Sequence, residues 1–333
     1  MSAALRVLAP GPLTTLQDGG RDGWLRVGVA PSGALDMRAL AVANLLVGNR
    51  PNDGALEMTF SGGSFAVEGE PIRIAIAGAD MPLTIDGIAA APNRSHTLAP
   101  GALLRIGVAK SSARAYLAVS GGFAVAPVFG SVAVHLRSGI GGPALRQSDV
   151  LPVIARAAPA APELGIAATA PPAPSHIRVV LGPQQDYFTA DAIAALLGAP
   201  YAVATRSDRM GLRLEGPRLA HKKGFNIVSD GIAPGSIQVP GGGQPIILLA
   251  DRQTTGGYPK IATVISADLP RLGQARPGDQ MRFAEVTLDE AREARRALQA
   301  WLDGLPAQMV PLGALDSERL LDANLISGVT DGA

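Results

Sequence analysis

Cysteine is absent from the chain. That removes disulfides, thiolate nucleophiles, Fe–S clusters and thiolate zinc sites together. Aromatic residues make up only 4%, and neither sign of charge dominates: 29 Lys and Arg stand against 28 Asp and Glu, a net charge of +1. Such a balance offers no field for nucleic acid or anionic lipid. The four histidines, His96, His135, His176 and His221, are scattered, with none at metal-ligand spacing from another. No metal site is expected. Met1 to Pro12 holds no apolar run of signal-peptide length. Between Arg114 and Arg137 no residue is formally charged, yet Gly121, Gly122, Pro127 and Gly130 interrupt the stretch. It reads as two short strands with a turn, not a membrane span. The expected location is the cytoplasm.

Glycine and proline are plentiful instead, 40 and 27 of 333 residues. Each inside a helix costs about 1–3 kcal/mol against Ala, which disfavours a helix bundle. Hydrophobic residues at 47% exclude general disorder, and the length supports a sizeable core. The composition predicts a mainly β fold with few helices, short strands joined by turns.

One shift in composition divides the chain. Residues 157 to 175 hold five prolines and one charge, so the segment reads as an extended linker rather than a strand or helix. The expected parts are an N-terminal β-rich lobe at 1–156, a Pro/Ala linker at 157–176, a C-terminal lobe at 177–286, and a helix and tail at 287–333. The lobes run faintly parallel. DMRALAVANLLVGN predicts a helix with Asp36 to cap it and Gly48 to end it, followed by strand pattern ALEMTFSGGSFAV. In the second lobe TADAIAALLGAP predicts a helix closed by Gly198, and RMGLRLEGPRL a strand with a turn. Each lobe then has a Pro-Gly turn before a strand, PGALLRIGV and PGDQMRFAEV. Near the end, Thr287 with Glu290 matches a capping box that opens an amphipathic helix, and the tail beyond Pro306 is expected to be loosely held.

The densest polar cluster is residues 226 to 260. Strands SIQV and PIILLA are joined by a Pro-Gly-Gly-Gly-Gln turn, and the second ends in Asp251-Arg252-Gln253-Thr254-Thr255-Gly256-Gly257-Tyr258-Pro259-Lys260. A polar loop on two apolar strands is a place for reacting groups, or simply a solvated turn. Lysine occurs only at 110, 222, 223 and 260, against 25 arginines. A compact point charge at Lys260 suits a phosphate, a carboxylate or a developing oxyanion. A second cluster, Thr205-Arg206-Ser207-Asp208-Arg209, can form a guanidinium clamp on an anion or an Asp-capped turn. A third joins Gln17-Asp18-Gly19-Gly20-Arg21 to Ser32-Gly33-Ala34-Leu35-Asp36, where backbone N–H groups can meet an anion or form a plain turn. No GxxxxGK[ST], GxGxxG or GxSxG pattern occurs, so neither a P-loop nor a nucleophile elbow is present.

TLQDGGRDG, SGALDMRALAVANLLVGN and ALEMTFSGG in the first lobe, with SDRMGLRLEG and IQVPGGGQPIILLADRQTTGGYPKIATVISADLPRLGQARPGD in the second, resemble allophanate-hydrolase-subunit-2-like proteins. That group takes in 5-oxoprolinase C subunits, the Kip antagonist and the carboxyltransferase portion of urea carboxylase. The resemblance covers roughly residues 5 to 285. It implies two cyclophilin-like β-barrel lobes with a cleft between them, to which the helix read from the capping box adds a C-terminal element. It implies partners as well, a Kip-inhibitor-like B-type subunit and an A-type subunit, with the chain incomplete alone. The chain departs from its relatives at Gly130-Ser131-Val132-Ala133-Val134, where they carry Ser/Thr and Arg, and at GGPALRQSD, which lacks a second Gly-Arg step.

The activity implied is ATP-dependent opening of a cyclic or urea-like amide, as of 5-oxoproline to glutamate, with ATP bound through the complex. Expected catalytic groups are Lys260 and Arg209 for anionic charge, with Asp251 as base or orienter. Ser207, Asp208, Gln238, Gln244, Arg252, Thr254, Thr255, Gly256, Gly257 and Tyr258 are expected to bind substrate. Gln17, Asp18, Arg21, Ser32 and Asp36 are secondary candidates. Two alternatives stay open. One is carboxyl transfer from biotin, carried by another protein, to an amide or urea nitrogen. The other is a regulatory protein that sequesters a Kip-inhibitor-like partner.

Overall fold

The computed structural model describes residues 3–154, 161–166 and 174–312. Strands dominate. In the first half, a six-stranded antiparallel sheet runs in the order Val150–Pro152, Ala4–Pro10, Ser61–Glu68, Leu103–Val108, Leu83–Ile85, Ile88–Ala90. A five-stranded antiparallel sheet faces it: Thr14–Gln17, Ala55–Thr59, Arg114–Val119, Ile72–Gly78, Ser95–Leu98. Leu5, Val7, Phe65 and Leu104 of the first sheet share one core with Leu56, Met58, Ile74, Ile76 and Leu117 of the second.

The five-stranded sheet is buried on both faces, and its alternation shows how. Ile74, Ile76 and Leu117 point into that core, whereas Ala75, Ala77, Tyr116 and Ala118 point the other way, against helix α1, Met37–Leu46. Alanines there let the helix approach closely. Asp36 caps α1, accepting from the backbone N–H of Arg38 and Ala39, as the sequence predicts.

The second half forms one eight-stranded sheet: Gln280–Met281, Tyr201–Val203, Gly211–Glu215, Ile246–Leu248, Ser236–Gln238, Lys260–Val264, Ile177–Leu181, Phe283–Glu285. Its two edge strands are separated in sequence by Arg282 alone, so the sheet curls until it nearly closes as a barrel. The single strand expected in PGDQMRFAEV is therefore two strands on opposite edges. Inside lie Val179, Leu196, Tyr201, Ile237, Ile247, Ile261 and Phe283. Helix α2, Ala190–Gly198, and the short helix α3, Leu269–Gly273, pack at this half. Helix α4, Leu288–Gly304, opens on the capping box of Thr287 and Glu290. Its far end turns back to the first half, where Trp301, Leu302 and Leu305 join the α1 cluster.

Two expectations are corrected. Glu163–Ile166, inside the Pro/Ala stretch, is a strand paired antiparallel with Met309–Leu312, in the tail expected to be loose. These four residues include no proline, so every N–H remains available as a donor, and Leu164 and Ile166 gain burial against α1. Residues 157–160 and 167–173 of the linker, and 313–333 of the tail, lie outside the described residues. In the charge-free stretch only Arg114–Val119 is a strand; beyond Gly121 and Gly122, both at positive φ, isolated bridges replace a second one. No helix among the described residues is long and apolar enough to cross a membrane.

Candidate functional site

Strand register assembles the first half of the site. Glu57 sits directly opposite Tyr116 on one neighbouring strand and Thr15 on the other. Gln17, Thr59 and Arg114 share that face by the period of two. The second half comes from two antiparallel neighbours, Gly211–Glu215 and Ile246–Leu248. Gly211 pairs with Leu248, and the ladder continues as the Asp251 N–H donates to the Arg209 carbonyl at 3.0 Å. Arg209 and Asp251 thus leave neighbouring strand ends side by side.

The two halves meet at Arg209. Its Nε donates to Asp251 Oδ2 at 3.0 Å and Nη2 to Asp251 Oδ1 at 3.1 Å. Nη2 also reaches Gln17 Oε1 at 3.2 Å and the Gly33 carbonyl at 2.6 Å, while Nη1 bonds Glu57 Oε1. Glu57 Oε2 accepts from the Tyr116 hydroxyl at 2.6 Å and the Leu35 N–H at 3.0 Å. Arg114 Nε lies 3.6 Å from Glu57, and Arg114 Nη1 donates to the Gly273 carbonyl of α3. Burial pushes the Glu57 carboxyl up, but Arg209 and Arg114, with the bonds from Tyr116 and Leu35, outweigh it and hold it below its ordinary value. Burial lowers the Arg209 guanidinium, and Glu57 and Asp251 more than reverse that. Tyr116 is pushed well above its ordinary value by burial beside Glu57 and Asp36. Glu57 and Arg209 therefore stay charged and Tyr116 neutral at neutral pH.

A cavity of about 280 Å³ opens beside this network, between the halves. Thr15, Thr59, Arg114, Arg137 and Phe60 line it from one side, and Thr205, Ser207, Asp208, Arg209, Met210 and Asp251 from the other. Predicted residues Ser207 and Asp208 therefore border the cleft. Ser207 Oγ accepts the Arg213 N–H at 3.1 Å, and Asp208 Oδ1 caps the Met210 and Gly211 N–H groups. The secondary candidates gather alongside. Asp18 accepts from Gly20, Ser131 and Val132. Ser32 donates its N–H to the Ala250 carbonyl at 3.2 Å, and Gln274 Nε2 donates to Asp36 Oδ2 at 3.0 Å. Arg21 is buried with Nη2 on the Ala133 carbonyl; its Nε and Nη1, and Ser32 Oγ, have no hydrogen-bond partner among the described residues. Burial lowers its guanidinium, against Asp18 and Asp251.

Lys260 does not line this cavity. Its ammonium, 2% exposed, bonds Asp230 Oδ2 at 2.8 Å, and Asp230 also accepts from Gln184 Nε2 at 3.2 Å. The Lys260 N–H donates to Gln184 Oε1 at 3.1 Å. Gln238, opposite Lys260 in the sheet, donates to the Tyr258 carbonyl at 3.4 Å. Thr255 and Gly256 pair with Gly231 and Asp230, the Thr254 carbonyl accepts from Ile232, and the Gly257 carbonyl accepts from Ile227. Gln244 ties Gly216 through both ends of its amide. Arg252 is buried on the Ile232 and Leu249 carbonyls, and burial lowers it to about 10. The long second-lobe motif thus supplies two places, one at Asp251 and one at Lys260.

Glu57, Arg114, Tyr116 and Arg137 are not singled out by the sequence. The first three carry a signal: charged or hydroxylated residues at alternate positions in ALEMT and RAYLAV, strands otherwise apolar on both faces. Asp230 lies within the polar cluster at 226–260, and Gln184 carries no signal.

A family described as carboxyltransferase domain, subdomain A and B, matches residues 27–285. The chain belongs to this carboxyltransferase-domain family. It is 37% identical over 305 residues to the 5-oxoprolinase C subunit of Escherichia coli (strain K12), covering 90% of this chain and 97% of that protein. It is 31% identical over 334 residues to urea amidolyase of Lachancea kluyveri, covering 91% of this chain but 18% of that one. The crystal structure of the Kluyveromyces lactis urea carboxylase superposes with a TM-score of 0.82 at 28% identity, over 92% of this chain and 30% of that chain. The family match runs through both halves of the cleft, so the meeting at Arg209 joins two parts of one carboxyltransferase domain.

Proposed function

We propose that this chain is a subunit of an ATP-dependent enzyme that opens a cyclic amide, as 5-oxoproline is opened to glutamate, and that the cleft at Arg209 receives the amide. The observation that carries this is the convergence of separate motif segments, around Gln17, Glu57, Arg209 and Asp251, on one small cavity. The near-complete coverage of a 5-oxoprolinase C subunit supports the choice of substrate.

An amide resists attack because its nitrogen lone pair is delocalised into the carbonyl. Phosphorylating the carbonyl oxygen with ATP makes the carbon electrophilic. Water adds to it, the C–N bond breaks with the ring nitrogen leaving as the amine, and the acyl phosphate that remains is hydrolysed to carboxylate and phosphate. The cleft contributes placement and fixed charge. Thr15, Thr59, Thr205 and Ser207 supply hydroxyls at the cavity wall. Arg209 is a positive centre held without freedom to turn. Both Asp251 oxygens are engaged by Arg209, so Asp251 orients the guanidinium rather than abstracting a proton. At about 280 Å³, the cavity lies below the roughly 300–1,000 Å³ of sites for drug-sized ligands. It suits a small amide. In this reading the nucleotide chemistry is completed with partner chains, a B-type and an A-type subunit.

The close superposition on urea carboxylase favours a second reading. There the cavity, walled by Leu13, Phe60 and Leu136 beside its hydroxyls, takes a ureido ring, and biotin on another protein supplies the activated carboxyl group. Measuring ATP hydrolysis by the co-purified assembly separates the two. Stimulation by 5-oxoproline supports amide opening; stimulation by urea, with carboxybiotin consumed, supports carboxyl transfer.

A further inference from the structure

Three guanidiniums line the cleft, and they are not equivalent. Arg209 spends its donors on Glu57, Asp251, Gln17 and Gly33. Arg114 is buried against Glu57 and the Gly273 carbonyl. Arg137 is different. Its side chain is 67% exposed and makes one polar contact among the described residues, Nη2 to Asp208 Oδ2 at 3.1 Å. That contact crosses the cleft, from the first half to the second.

We propose that Arg137 recognises a carboxylate on the substrate, so that the cleft selects a cyclic amide bearing an anionic group over a neutral amide or urea. This rests on the amide-opening reading. An exposed ion pair of this kind contributes little stability, so Arg137 can exchange Asp208 for a substrate carboxylate at small cost. Asp208 is not stranded by the exchange, because its other oxygen already accepts the Met210 N–H at 2.9 Å and the Gly211 N–H at 3.2 Å. A guanidinium with most donors free is the group suited to bidentate carboxylate binding.

The backbone under Arg137 is fixed while its side chain is not. His135 bridges Ile140 across the turn, its N–H donating to the Ile140 carbonyl at 2.8 Å. The Ser138 N–H donates to His135 Nδ1 at 3.1 Å, which makes Nδ1 the acceptor and leaves the proton on Nε2. Nε2 then donates to the Asp251 carbonyl at 3.2 Å. The turn carrying Arg137 is thereby pinned to the segment that positions Arg209. Leu136, beside it in sequence, gives the cavity an apolar wall next to the charged end. A lactam ring with a carboxylate on it presents that same pairing of surfaces.

The test is Arg137→Gln and Arg137→Lys in the co-purified assembly, with 5-oxoproline as substrate and 2-pyrrolidinone, the same lactam without the carboxylate, as competitor. In Arg137→Gln the KM for 5-oxoproline is expected to rise about tenfold or more, the loss of a charge-assisted hydrogen bond, with kcat within about twofold. Arg137→Lys recovers part of the loss. Inhibition by 2-pyrrolidinone is expected to be the same in all three proteins, and an unchanged melting temperature verifies the fold. An unchanged KM, or equal weakening toward 2-pyrrolidinone, overturns the role of Arg137 and leaves the amide-opening reading standing. A wild-type assembly that turns over no 5-oxoproline overturns both.

Discussion

Glu57, in a strand of the first half, and Arg209, two residues before the strand Gly211–Glu215 of the second, bond each other across the boundary between them. Their side chains are 1% and 13% exposed. The pair is enclosed by charges and donors from both sides, Arg114 and Tyr116 on one and Asp251 on the other. It both joins the halves and sets the cleft wall.

Glu57→Gln leaves Arg209 and Arg114 with one carboxylate fewer in a buried setting. Breaking a buried pair from one side costs about 3–5 kcal/mol. Chemical denaturation should show a loss of that size. A change below about 1 kcal/mol, the worth of an exposed pair, would show that the network does not hold the halves together.

The same carboxyl sets an acid limit. Its folded value lies below the ordinary 4.5, so its contribution is complete above that value and disappears as pH falls through the lower, folded one. Stability measured from pH 7 downward should be flat in this respect to about 4.5 and then decline. Glu57→Gln should lack that part of the decline, and a variant with the wild-type slope would contradict the assignment.

Helix α3 touches the first half through a glycine. A Cβ at Gly273 would collide with the Leu35 carbonyl oxygen and lie 3.1 Å from the Asp36 nitrogen. Backbone cannot yield as a flexible side chain does, so Gly273→Ala should destabilise by about 1–3 kcal/mol. Gly198, at the end of α2, has open space around it, and Gly198→Ala should be neutral or gain up to about 1 kcal/mol. Equal melting temperatures for the two variants would refute the close contact at Gly273.

Local signals were the legible ones. Asp36 before α1, Thr287 with Glu290 at α4, and the SIQV and PIILLA strands all announce themselves through residues a few positions apart. The strand at Glu163–Ile166 does not, since its partner Met309–Leu312 is distant in sequence and supplies the hydrogen bonds that local composition argues against. The cleft was half legible for the same reason. Arg209 and Asp251 stand in polar clusters, but Glu57 is a single acid in an apolar strand, and only register places it beside Thr15 and Tyr116. Lys260 shows the converse. Its rarity and its polar neighbours single it out, yet the sheet sends its ammonium to Asp230 and away from the cleft.

If this chain completes an amide-opening enzyme, the most direct measurement is glutamate formation from 5-oxoproline and ATP by the partner subunits, first without this chain and then with it added back. No glutamate is expected in its absence, with full recovery on addition and poor recovery with Arg209→Met. Glutamate formed equally without the chain, or a stable complex that forms none with it, would contradict that role.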